Sequence, residues 1–238
     1  MKIHELFKQT RHPQDVNDYY HCFNSSNVLN VIYWWTFFEI IDDIKGDIVE
    51  CGVGRGRSLI TILAINRLKK MMNPKFTRKV FALDSFEGFP SPHKFDKSSR
   101  NPKKGEWSES PNKQFKYSVK SLKKIISLAE LDSKDSKEMN IIKGFFDKTT
   151  EKLKVKKISI LHLDGDLYDS VLSPLNNLWK KVSIGGIVVI DDYIVDKRLS
   201  KNEGFPGARR AINEFLKKNS NFDFKVSIRG SPYLLRIK

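Results

Sequence analysis

Residues 46–60, "GDIVECGVGRGRSLI", read as a strand, a glycine-rich turn and the start of a helix. The run 47–51 is short and largely β-branched, and from Arg57 onward the apolar positions recur at helical spacing. Gly52, Gly54 and Gly56 let the backbone pass close to a ligand, and the helix start that follows offers free amide donors. Their spacing is GxGxG rather than the dinucleotide fingerprint GxGxxG. The turn alone therefore names no cofactor, and three glycines also serve to shape a tight connection.

Further apolar runs lie at 79–83, 140–143, 158–163 and 186–190, alternating with helical patterns at 57–71, 119–131, 170–181 and 208–219. That alternation predicts a parallel sheet covered by helices. At the end of the chain "FDFKVSI" and "SPYLLRI" read as two strands joined by a short turn at 229–231. The expected fold is α/β, a doubly wound and mostly parallel sheet of seven strands closed by an antiparallel pair. Residues 1–45 form an expected N-terminal helical extension, with helical spacing over 16–44, and 46–238 the main domain. Within it, 86–117 carries four prolines and no sustained period, and reads as a lid or a surface insertion.

Composition sets outer bounds. The chain has 238 residues, 39% of them hydrophobic, with four Trp and 16 Phe, enough for a proper core. Cys22 and Cys51 are its two cysteines, which argues against a disulfide scaffold and fits a reducing cytoplasm. The N-terminal stretch "MKIHELFKQTRHPQD" lacks a signal-like apolar segment, and no run reaches the roughly 18 apolar residues of a membrane span. A soluble cytoplasmic protein is expected. The net charge of +15 invites a nucleic-acid reading, but 32 of the 43 basic residues are lysines scattered over the chain. A solvated lysine-rich surface is the simpler account, and no nucleic-acid partner is expected.

Acids at strand ends narrow the function. Glu50 lies at the end of the first strand and Asp84 ends the second, beside the glycine turn, where a carboxylate can accept hydrogen bonds from ribose hydroxyls. "LHLDGDLYDS" puts Asp164, Asp166 and Asp169 directly behind an apolar run, and "GGIVVIDDY" ends another in Asp191 and Asp192. Asp164 and Asp191 are 27 residues apart, about one strand-helix-strand unit, so both sets should meet at one sheet edge. Carboxylates gathered there repel one another unless a cation is present, and hard oxygen ligands suit Mg²⁺.

Together these motifs resemble the macrocin O-methyltransferase (TylF) family of Mg²⁺-dependent, Rossmann-like class I methyltransferases. They occur in the family's order, as "GDIVECGVGRGRS", "VFALDSFEGFP", "IIKGFFDKT", "LHLDGDLYDS", "GGIVVIDDY" and "FPGARRAINEF", spanning 46–215. The chain departs from the pattern at His162 and at Gly54, where family members often carry a bulkier residue. The resemblance implies transfer of a methyl group from S-adenosylmethionine to a sugar hydroxyl, free, nucleotide-linked or on a glycosylated product. It also implies that Asp164, Asp191 and Asp192 hold Mg²⁺ and that Asp166 is the general base. Glu50, Gly52, Gly56, Ser58, Asp84, Gly144 and Phe145 would position the cofactor.

Alternatives stand beside these assignments. Asp169 reads better as a cap of the helix near Ser170, and His162 as an interior histidine, although it is the other candidate base. Trp107 and Asp96 are candidate substrate contacts in the lid. A catechol-like phenol would present the same pair of oxygens as a sugar diol, and a nucleic-acid-binding protein on a degenerate methyltransferase fold is the reading from another class. The aromatic N-terminal helix and the resemblance favour a homo-oligomer.

Overall fold

The computed structural model describes residues 25–109, 113, 115–131, 138–193, 195 and 204–238. A seven-stranded sheet forms its centre: β1 (Asp47–Cys51), β2 (Val80–Asp84), β3 (Met139–Lys143), β4 (Ile158–Leu163), β5 (Val182–Ile190), β6 (Phe222–Val226) and β7 (Pro232–Arg236). The order is β3-β2-β1-β4-β5-β7-β6. Strands β1 to β5 run parallel, and β7 is antiparallel to both β5 and β6. The expected α/β class and its closing antiparallel pair are borne out.

Both faces are covered, and the strands show it residue by residue. Ile48, Ile160, Ile187 and Val189 point into the core shared with α1 (Ser25–Ile40), α2 (Arg57–Met72) and α3 (Val119–Leu128). Their neighbours Val49, Leu161, Val188 and Ile190 point into the opposite core, under α5 (Tyr168–Leu178) and α6 (Pro206–Lys218). This alternation at period two explains why the central strands read as unbroken apolar runs. A short helix α4 (Phe146–Glu151) follows β3; its six residues are too few to show a period in the sequence. β5 begins four residues before the expected strand, because the irregular register between Ile158 and Ile160 accommodates the glycine pair 185–186 within it.

α1 lies on the first of these faces. Tyr33, Trp34, Phe37 and Phe38 are buried, and Asn30 donates to Thr61 Oγ1 of α2 at 2.9 Å. Lys69 of α2 bonds Glu39 at 2.5 Å and Asp42 at 2.9 Å. Arg78 closes the other end. Its buried guanidinium donates to the carbonyls of Ile41 (2.6 Å), Asp42 (3.2 Å), Ile44 (2.5 Å) and Gly46 (2.9 Å), in the stretch where α1 stops. The helical spacing expected over 16–24 lies outside the described residues. Among the described residues no helix is long and apolar enough to cross a membrane.

Candidate functional site

The carboxyl ends of β1, β2 and β4 border a cavity of about 670 Å³. Its wall runs from the glycine turn to Asp84, Phe145, Asp164 and Asp166, with Phe89, Trp107 and Tyr117 contributed by 86–117. In a parallel sheet the strands β1 and β4 leave for helices on opposite faces, and the crevice between them is where such folds bind ligands.

Local geometry explains the turn. Gly52 has φ 99°, and a Cβ on it would stand 1.7 Å from the carbonyl oxygen of Asp164, so β1 and β4 approach here as only glycine permits. Gly54 has φ 50° and open space around it, facing the cavity. Asp84 ties the turn to β2: Oδ2 accepts from the amides of Val53 (3.0 Å) and Gly54 (2.9 Å), and Oδ1 from that of Phe86 (2.6 Å). A carboxylate offers about four acceptor positions, so Oδ1 of this cavity-lining residue keeps one.

Glu50 is fully buried beneath the turn. Its Oε1 accepts from Ser58 Oγ and lies 3.2 Å from His162 Nδ1, which donates to it. The His162 ring meets Trp34 edge-on, with centroids 4.8 Å apart. Glu50 thus touches Ser58, which lines the cavity, without lining it itself. Gly56 and Gly144 also stand behind the wall, whereas Gly52, Ser58, Asp84 and Phe145 form part of it. Gly144, at φ 143°, continues the sheet by donating to the Asp84 carbonyl.

Asp164, Asp166 and Asp192 each offer a carboxylate oxygen within 4.8 Å of the others. Asp166 has φ 60°, a left-handed conformation that costs about 1–3 kcal/mol for a non-glycine residue, and its amide donates to Asp192 Oδ2 at 2.9 Å. Asp191 stands beside this set, with Oδ1 3.6 Å from Arg229 Nη1 of the β6–β7 hairpin. Burial, and then the charges of Asp191, Asp192 and Asp166, push the Asp164 carboxyl well above the usual range. Burial, followed by Asp166 and Asp191, does the same to Asp192. Asp166 is pushed up to about 7, chiefly by burial, against the hydrogen bond from Asp192. A cluster of oxygen donors whose charges resist ionisation beside one another suits a hard divalent cation, and these residues fit one.

The lid residues divide. Trp107 lines the cavity and is about half exposed. Asp96 is buried away from it: its carboxylate accepts from the amides of Tyr168 (2.8 Å) and His93 (2.7 Å). α5 starts behind Leu167, which has no capping side chain, so Asp96 supplies that cap from another part of the chain. Asp169, expected as the cap, stands inside the first turn and lines the cavity. Arg100 binds both oxygens of Glu106, at 3.1 and 2.5 Å, and its guanidinium lies within 4.8 Å of the Phe205 ring. Sequence reading missed Arg55, Asp147 and Lys148, which also line the cavity. The signal for the last two was their place in "FFDKT", just past a strand end.

The model of the macrocin-O-methyltransferase (TylF) family matches residues 37–220. The chain is 31% identical over 161 residues to 8-demethyl-8-(2,3-dimethoxy-alpha-L-rhamnosyl)-tetracenomycin-C 4'-O-methyltransferase of Streptomyces olivaceus, covering 66% of this chain and 56% of that one. It is 27% identical over 195 residues to demethyldecarbamoylnovobiocin O-methyltransferase of Streptomyces niveus, covering 79% and 64%. The chain thus spans less than two thirds of the length of these relatives. Two solved structures share the fold. The calicheamicin methyltransferase CalS11 superposes with a TM-score of 0.79 at 21% identity, covering 98% of this chain and 89% of that one. The O-methyltransferase NovP does so with 0.67 at 24%, covering 90% and 80%. The matched span opens inside α1, closes beyond α6 and includes every strand that carries an acid of the site, so the chain belongs to the macrocin O-methyltransferase (TylF) family.

Proposed function

We propose that the protein is an S-adenosylmethionine-dependent and Mg²⁺-dependent O-methyltransferase that acts on a sugar hydroxyl, free, nucleotide-linked or on a larger product. The observation that carries this reading is the meeting of Asp164, Asp166 and Asp192 beside the cavity that the glycine turn and Asp84 also border. The name of the Streptomyces olivaceus relative, which describes 4'-O-methylation of a rhamnosyl-bearing tetracenomycin, supports the acceptor class.

Asp164, Asp191 and Asp192 would hold the cation; the charge of Asp191 already bears on Asp164. When bound, the cation would lower the pKa of a hydroxyl and fix two neighbouring substrate oxygens. S-adenosylmethionine, when bound, supplies an electrophilic methyl group. Asp166 accepts the hydroxyl proton on its carboxylate. Asp84 keeps the turn in register and offers Oδ1 to a ribose hydroxyl, and Ser58 is fixed by Glu50. Phe89, Trp107 and Tyr117 cover the site and limit access of water. The exposed Val28, Leu29 and Ile32 of α1 support self-association as a homo-oligomer.

Mass-spectrometric screening of sugars, nucleotide sugars and glycosides with S-adenosylmethionine and Mg²⁺ tests the acceptor. The expected result is a product heavier by one methyl-for-hydrogen exchange in at least one sugar. Methylation confined to catechol-type phenols would replace the sugar reading.

A further inference from the structure

β3 is the terminal strand of the sheet, and among the described residues it pairs with β2 alone. Its outward amides and carbonyls have no strand partner there. Every residue of β4 is buried, whereas Met139, Asn140, Ile141 and Ile142 are half-covered and Lys143 is exposed. Beside this edge lies a second cavity, about 1130 Å³, between α3, β3 and α4. Phe81, Ile126, Ile141 and Leu153 give it an apolar floor. Lys123, Lys143, Lys148, Lys152 and Lys154 stand around it, with no carboxylate among its lining residues. Lys143 pairs with Glu87 at 3.1 Å, while Lys123, Lys152 and Lys154 form no ion pair among the described residues.

We propose that this edge is a docking groove for an extended, acidic peptide segment of a partner protein, which adds to the sheet alongside β3. Strand addition satisfies the open backbone groups, alternate apolar side chains reach the floor, and alternate carboxylates meet the lysines. Lysines also guard sheet edges against unwanted pairing, but such guards sit on the edge strand itself. Here four of the five stand on α3, on α4 or just after it, facing the groove. They repel a basic strand and attract an acidic one. A nucleic acid or an anionic bilayer would use the lysines alone and leave both the backbone edge and the half-covered isoleucines unused.

The test uses the full chain and a fluorescein-labelled peptide of alternating Glu and Val, followed by anisotropy and by amide hydrogen exchange. We expect saturable binding, slower exchange at the outward amides of 139–143, and weakening by about tenfold in Lys152→Glu/Lys154→Glu. Both side chains are exposed and lie outside the cavity that holds the acids, so circular dichroism should report an unchanged fold. Equal binding of the same peptide with N-methylated backbone amides would overturn the proposal. So would unchanged affinity in the double variant, absence of binding, or tighter binding of duplex DNA or phosphatidylglycerol vesicles than of the peptide.

Discussion

At Gly52 the missing side chain matters because the Asp164 carbonyl occupies its place. Gly52→Ala combines that overlap with a φ of 99° that alanine resists, and should cost about 3 kcal/mol or more, read as a lower urea midpoint or as insoluble expression. Asp166 calls for a different variant. Asp166→Asn keeps the shape and the amide donated to Asp192, and removes the group that takes the proton. Turnover should fall by about 10²–10⁴-fold with cation affinity nearly unchanged. A matching loss of cation affinity in a calorimetric titration would make Asp166 a ligand instead. The acids could be seen in the sequence because they interrupt apolar runs. The approach of Arg229 to Asp191 could not, since it depends on where the hairpin after β6 comes to rest.

Elements are joined by polar contacts that no periodicity announces. Asp96 caps α5 from the segment between β2 and α3, and its Oδ1 would lie 1.8 Å from a Cβ on Gly207, the second residue of α6. Asp96→Ala therefore removes a helix cap and loosens 86–109 from both helices at once. Loss of about 1–3 kcal/mol in chemical unfolding is expected, with faster amide exchange in 93–107. Arg78 does the same for α1. Arg78→Met removes four hydrogen bonds, leaves the carbonyls of Asp42 and Ile44 short of a donor and should cost about 2–4 kcal/mol by the same measurement. The strands and long helices were legible because their apolar positions repeat at periods of two and 3.6. Arg78 and Asp96 were not, because a buried charge is recognised only by partners distant in sequence.

For the whole molecule, the acid cluster ties stability to pH. Asp164, Asp166 and Asp192 bind protons more tightly in the folded state than in the unfolded chain, where an aspartate titrates near 3.9. Between that value and about 7, the folded state holds more protons, so the metal-free protein should lose stability as pH rises through this window. Thermal melts of metal-free protein should show a lower midpoint at about pH 8 than at about pH 6, and Mg²⁺ should raise the midpoint more at the higher pH. A flat profile would mean that the cluster is neutralised by some other route. The alternation of strands and helices carried the architecture as far as the doubly covered sheet. The course of 86–109 over the cavity was hidden, because it follows from Asp96, Arg100 and Glu106 meeting their partners rather than from any repeating pattern.

The central claim is that these acids form a cation site. Calorimetric titration of Mg²⁺ into chelator-stripped protein and into Asp164→Ala, each first shown to bind S-adenosylhomocysteine, tests it most directly. The account predicts saturable binding of one cation to the unaltered chain and its loss in the variant, with S-adenosylhomocysteine affinity kept in both. Absence of Mg²⁺ binding to the unaltered protein, or equal binding by the variant, would contradict it.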